Sequence, residues 1–216
     1  MTFPPDLITR TSTAIIIIAV TIIALSSGAL GWGMFCITVA AGMMDEWRSL
    51  TVSMRKPVFF SGLLVISCAV ASAILIYSAP QGFTYLGFLI ACVSATDIFA
   101  YFGGKALGRR KLAPHISPNK TVEGLLCGMA ASSLVAVGIT LFFNLPMPVF
   151  LALGTGAALA LVAQMGDLLE SAAKRKADMK DSGALLPGHG GLLDRTDGYI
   201  TALPVFYGML YMANHL

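Results

Sequence analysis

Seven apolar stretches, at residues 13–27, 30–46, 58–79, 83–103, 121–143, 149–168 and 199–214, take up most of the chain and leave short connections between them. About 20 mainly apolar residues suffice for one helical crossing of a bilayer, so the chain is expected to be an all-α, polytopic membrane helical bundle of about seven transmembrane helices; residues 13–46 can also be read as one bent unit. Composition agrees. The 216 residues are 56% hydrophobic and 12% charged, with a mean hydropathy of +0.80, whereas a soluble domain carries about 25% charged residues.

The cations test that count. Turns at 28–31, 79–82 and 144–146 hold no charge, and all 14 Lys and Arg fall in the other gaps: Arg10 before the first run; Arg48, Arg55 and Lys56 after the second; Lys105, Arg109, Arg110, Lys111 and Lys120 after the fourth; Lys174, Arg175, Lys176, Lys180 and Arg195 after the sixth. With seven spans these gaps share one side, which the positive-inside rule makes cytoplasmic, with the amino terminus in and the carboxyl terminus out. Pro4 and Pro5 open the chain and no small-residue cleavage pattern follows, so no removable signal peptide is expected. Cys36, Cys68, Cys92 and Cys127 all lie in apolar runs without C-x-x-C spacing and read as small hydrophobes.

The gap after the sixth run carries more than topology needs, because Glu170, Asp178, Asp181, Asp194 and Asp197 balance its five cations. If the sixth helix continues, Asp167, Ser171 and Lys174 share one face. A carboxylate at membrane depth is costly without a partner, which makes Asp167 a functional candidate, although local pairing with Lys174 would also satisfy it. The turn Pro187-Gly188-His189-Gly190-Gly191 lets backbone approach a ligand and offer N–H groups to an anion. Around it, Asp167, Asp181, Asp194 and Asp197 are hard oxygen ligands of the type magnesium takes, and Lys174, Arg175, Lys180 and Arg195 suit phosphate oxygens. His189 has no second histidine or cysteine at ligand spacing and reads as a phosphate or substrate hydrogen-bond partner or as a structural residue.

A second cluster, Ser117-Pro118-Asn119-Lys120-Thr121-Val122-Glu123-Gly124, opens the fifth run. Ser117 or Thr121 can cap that helix, whose start favours anions, while Glu123 can pair locally with Lys120. Asp97 stands in the fourth run with no charge near it in sequence, so its partner must come from another helix or a metal.

The run from Ser171 through Lys174-Arg175, Lys180-Asp181, Gly183, Leu186 to Gly191 and Asp194-Arg195-x-Asp197 resembles the characteristic pattern of the CDP-diacylglycerol synthase (phosphatidate cytidylyltransferase) family. The segments 117–124 and Asp97-x-x-Ala100-Tyr101 resemble that family's other blocks, in order, with a weaker match at Leu7-Ile8-Thr9-Arg10. Ala173 departs from the larger apolar residue usual there, and the chain is shorter than typical members before Asp97. The resemblance implies CTP plus phosphatidate giving CDP-diacylglycerol and pyrophosphate, in phospholipid biosynthesis, with magnesium as one or two ions. It implies catalytic roles for Asp167, Lys174, Asp194 and Arg195, substrate contacts from Ser117, Asn119, Lys120, Ser171, Arg175, Lys180, Gly188, His189, Gly190 and Gly191, and metal ligation by Asp167, Asp194, Asp197 and Asp181.

On that reading residues 1–216 form one integral-membrane domain, 1–82 supplying N-terminal spans and 83–216 the catalytic spans and cytoplasmic loops. Its place is a bacterial-type inner (plasma) membrane with the active site on the cytoplasmic face. The partners are CTP, phosphatidate and membrane lipids, with a homodimer left open and no nucleic acid. Two alternatives remain: a CTP-dependent lipid kinase or a cytidylyltransferase for another lipid phosphate, and a membrane transporter using Asp97, Glu123 and Asp167 along its path. No clear repeat of the transporter kind is present.

Overall fold

A computed structural model of the chain describes residues 5–214, with side chains from residue 8 onward. Pro4, in the reading of the amino terminus, and the Leu7 side chain, in the early match, lie outside the described residues. Seven helices follow in order: α1 (Pro5–Ser26), α2 (Gly28–Thr51), α3 (Lys56–Ser78), α4 (Gly82–Leu107), α5 (Val122–Phe142), α6 (Val149–Lys176) and α7 (Leu193–Met212). Among the described residues α1 to α6 are long and apolar enough to cross a membrane. The seventh apolar run is also a helix, though charges in its first turns set it apart.

Several helices run past the apolar stretches that announce them. α2 continues to Thr51 and α6 to Lys176, carrying Glu46 and the whole 167–176 segment on regular helix. α7 begins at Leu193, not at residue 199, so Asp194, Arg195 and Asp197 sit in its first turns. Between α4 and α5 the chain forms a small antiparallel hairpin, β1 (Lys111–Ala113) with β2 (Ser117–Thr121), turning at Pro114 and His115. The all-α expectation omits this hairpin.

α4 lies at the centre of the bundle, in contact with α3, α5, α6 and α7. Small residues let helices close on one another: a Cβ on Gly124 would meet the Ala100 carbonyl oxygen at 2.6 Å, and one on Gly128 the Thr96 carbonyl oxygen at 2.8 Å. This is how membrane helices gain packing when lipid removes the hydrophobic drive between them. Phe88 of α4 stacks on Phe206 of α7, ring centres 5.4 Å apart, with Tyr85 edge-on to Phe206. Outward, Ile15, Ile16, Phe60, Leu134 and Phe150 are exposed; apolar surface on this scale belongs in lipid. The four cysteines are free thiols; Cys36 and Cys92 are buried, Cys68 exposed and Cys127 half-buried.

The cation-bearing segments meet at one end of the bundle. Glu46 near the end of α2 bonds to Leu192 and Leu193, Thr13 of α1 donates to the Pro187 carbonyl (2.9 Å), and Arg175 of α6 donates to Ile116 in the hairpin (3.4 Å). The charged loops of the sequence thus form one polar cap over an apolar bundle.

Candidate active site

Under this cap lies a cavity of about 700 Å³, walled by α4, β2, α5, α6 and α7, a size suited to a small-molecule site. Gly166, just before Asp167, lets α6 and α7 approach closely, because a Cβ there would meet Thr201 Oγ1 at 2.3 Å and the Asp197 carbonyl oxygen at 2.5 Å. α6 therefore presses on α7 at this level, and Asp167 and Asp197 come to line one space. Asp97 of α4 joins them. These three carboxylates lie near enough to repel one another, an arrangement that costs energy unless cations or a metal offset it.

Lys120, delivered by β2, forms an ion pair with Asp167, and Ser171 donates to the other oxygen of the same carboxylate at 3.2 Å. Ser117, Asn119 and Arg195 complete the polar wall. Asp167 and Ser171 do share a face, but Lys174 turns elsewhere. Its Nζ lies 3.0 Å from Glu170 Oε2 and 2.6 Å from Asp194 Oδ1, with side-chain exposures of 12%, 5% and 8% for the three residues. Glu123 does not pair with Lys120. It accepts the backbone N–H groups of Arg109 (3.0 Å) and Arg110 (3.1 Å), while Thr121 caps α5 by accepting Gly124 N–H at 3.1 Å.

The glycine turn is arranged differently from the expectation that its amides face an anion. His189 N–H donates to Leu186 O, Gly191 N–H to Asp194 Oδ2 (2.8 Å), and Arg195 grips the His189 carbonyl with Nε and Nη2 at 3.0 and 2.7 Å. Gly188 and Gly190 adopt positive φ, +73° and +83°, the backbone that glycine alone takes readily. Gly188 packs against Arg10 and Gly190 lies beside Asp194 and Asp181. Of the expected site residues, Ser117, Asn119, Lys120, Asp167, Asp194, Arg195 and Asp197 line the cavity. Arg175 reaches the hairpin, Lys180 and Asp181 are exposed beyond the cavity wall, and the glycine turn holds α7's first turn in place.

Asp194 accepts from Lys174, from Ser182 N–H (3.0 Å) and from Gly191 N–H, so both its oxygens are engaged within the protein. Among the described residues no three His, Cys, Asp or Glu side chains form a ready-made metal cage. The donor set still suits magnesium, which takes one or two carboxylates and completes its shell with water and substrate phosphate oxygens. Asp97, Asp167, Asp194 and Asp197 are hard-oxygen donors that line the cavity, whereas Asp181 lies outside it.

Three participants carry no motif signal of their own. Gln164, one turn before Asp167, is buried on the cavity wall with its Nε2 unpartnered. Glu170 is buried beside Lys174. Glu46, 6% exposed, accepts from Ser182 Oγ and from Leu192 and Leu193 N–H. Their signal is physical: a carboxylate or amide inside an apolar helix needs partners.

The match to the cytidylyltransferase family covers residues 52–213. The phosphatidate cytidylyltransferase of Brucella abortus biovar 1 (strain 9-941) is 34% identical across 94% of this chain and 92% of that protein. That of Rickettsia bellii (strain RML369-C) is 38% identical across 79% and 76%. With the phosphatidate cytidylyltransferase of Bacillus subtilis (strain 168) identity is 46%, over 60% of this chain and 48%, about half, of that protein. The Brucella alignment runs over 254 positions, more than the 216 residues here, so that relative carries internal segments this chain lacks. On a match over most of its length, and on full-length similarity at 34% identity, the chain belongs to the cytidylyltransferase family.

Proposed function

We propose that the chain is a phosphatidate cytidylyltransferase, joining CTP and phosphatidate into CDP-diacylglycerol and pyrophosphate at the cytoplasmic face of a bacterial-type plasma membrane. The observation that carries this reading is the cavity in which Asp97, Asp167 and Asp197 face Lys120 and Arg195 at the polar end of an apolar bundle. In that place a polyphosphate can meet a lipid headgroup while acyl chains stay in the bilayer. Residues 1–216 act as one membrane domain of seven spans, the first three supporting the catalytic four.

The chemistry asks little covalent work of the protein. A phosphatidate phosphate oxygen is already an anionic nucleophile; it bonds to the α-phosphorus of CTP as the α–β phosphoanhydride bond breaks and pyrophosphate leaves. Alignment and charge neutralisation therefore dominate the barrier. Lys120 and Arg195 bind phosphate oxygens from opposite walls, and Ser117 and Asn119 add neutral donors. Ser171 holds the Asp167 carboxylate in its rotamer, while Lys174 and the loop amides fix Asp194 and, through it, the start of α7. Magnesium, held by Asp167 and Asp197, would offset charge on the leaving pyrophosphate. Purified protein given CTP, phosphatidate and magnesium in detergent should form CDP-diacylglycerol and pyrophosphate in equal amounts. Folded protein that forms neither, at any magnesium concentration, contradicts the reading.

A further inference from the structure

Glu46 stands near the end of α2, far in sequence from every motif that lines the cavity, yet it is among the most fully bonded carboxylates in the protein. Its Oε1 accepts Leu192 N–H at 2.9 Å, and its Oε2 accepts Leu193 N–H at 2.8 Å and Ser182 Oγ–H at 3.2 Å. None of the ion pairs among the described residues involves it. Its charge is met instead by N–H groups at the start of α7, where the helix dipole favours an anion. Asp45, its neighbour, is exposed.

The loop closes tightly around Glu46. A Cβ on Gly183 would meet Glu46 Oε1 at 2.6 Å, and one on Gly191 would meet Oε2 at 2.7 Å. Gly183 and Gly191 are therefore spaces taken up by this carboxylate and, at Gly191, by Ser182 Oγ as well. The bonding continues beyond them: Ser182 N–H and Gly191 N–H donate to Asp194, and Asp194 N–H donates back to Ser182 Oγ at 3.3 Å. Glu46 thus ties together the two loop segments whose amides orient Asp194, and Asp194 and Arg195 face the polar cavity from the turn it caps.

We propose that Glu46 is a positioning residue for the cytidylyltransfer reaction, an α2 latch that fixes the first turn of α7 and so aims Asp194 and Arg195 into the site. The proposal rests on the cytidylyltransferase reading above. Its three partners are all donors, so Glu46→Gln, nearly isosteric, sets an amide NH₂ against N–H groups and leaves at least one donor unmet. Glu46→Asp keeps the charge with one methylene less.

The test pairs hydrogen–deuterium exchange with steady-state kinetics on full-length protein in detergent, with Asp45→Asn as control. Glu46→Gln should speed exchange about tenfold or more across residues 182–194 while α4 and α5 keep their protection. In the same variant kcat should fall about 10- to 100-fold, and the magnesium concentration for half activity should rise, as when a group supporting a ligand is lost. Glu46→Asp should recover part of both, and Asp45→Asn should change neither. A change in exchange without the kinetic change, or the reverse, overturns the proposal, as does protection lost evenly over all helices. Wild-type protein that forms no CDP-diacylglycerol removes the cytidylyltransferase reading instead, and the exchange result then still decides whether Glu46 latches the loop.

Discussion

Lys174 Nζ stands 2.6 Å from Asp194 Oδ1 and 3.0 Å from Glu170 Oε2, so one ammonium of α6 joins a carboxylate of its own helix to one at the start of α7. Removing it leaves two buried acids with no cation, a change that costs about 3–5 kcal/mol in comparable buried pairs. Lys174→Met should therefore lower the thermal midpoint in detergent and abolish turnover. Adding Glu170→Gln removes one of the stranded charges and should restore part of the midpoint without restoring turnover. Equal midpoints for the single and double variants would show that the triad is not a coupled unit.

Asp167 and Asp197 face the cavity from α6 and α7. Asp167→Asn and Asp197→Asn keep size and remove charge that a magnesium–polyphosphate complex requires, so each should lower kcat by about 100-fold or more with the protein still folded. Asp194→Asn should lower kcat too, but with faster exchange in the 182–194 loop, because Asp194 holds Ser182 and Gly191 N–H. Asp45→Asn, on the exposed face of α2, should retain wild-type rates. Near-normal turnover in the Asp167 variant would remove that residue from the site.

The seven helices were legible because each buries or offers to lipid a long apolar run, a local property of the sequence. Their polar ends were not. α7 starts six residues before its apolar run because Glu46, almost 150 positions earlier in the chain, accepts the N–H groups at that start; no local pattern contains such a cap. The hairpin at 111–121 escaped for a similar reason, since its strands are short and polar, and Glu123 of α5 and Arg175 of α6 hold the chain just before β1 and at the turn. The blocks around Asp97, Ser117–Thr121, Asp167 and Asp194 could be picked out by the cost of charge in apolar sequence. That they line one cavity follows from the Gly166–Thr201 and Gly124–Ala100 contacts, which are tertiary. The glycine turn showed the limit of motif reading: its composition suits an anion, while its amides mostly serve Leu186 and Asp194.

Loop glycines supply a stability test. Gly191→Ala would place a Cβ 2.1 Å from Ser182 Oγ and 2.7 Å from Glu46 Oε2, whereas Gly208→Ala and Gly87→Ala meet nothing within 4 Å. Overpacking of this kind costs about 1–3 kcal/mol. Gly191→Ala should lower the thermal midpoint, and the two control substitutions should leave it unchanged or raise it. A neutral Gly191→Ala would mean that the loop relaxes without loss.

Topology follows from the cations. All 14 Lys and Arg fall in alternate gaps if there are seven spans, so a reporter fused after Leu216 should be active outside the cytoplasm and one fused at the amino terminus inside it. A cytoplasmic signal from the carboxyl-terminal fusion would mean that the number of crossings is even.

The most direct measurement follows the phosphorus atoms of CTP. Attack by the lipid phosphate on the α-phosphorus should carry an α-label into the lipid product and release a γ-label as pyrophosphate, with magnesium present and protein purified in detergent. Metal, lysines and carboxylates around a polyphosphate would serve γ-transfer equally well on charge alone, so the label decides where charge cannot. The account predicts α-label in CDP-diacylglycerol and γ-label in pyrophosphate; γ-label in the lipid fraction would contradict it.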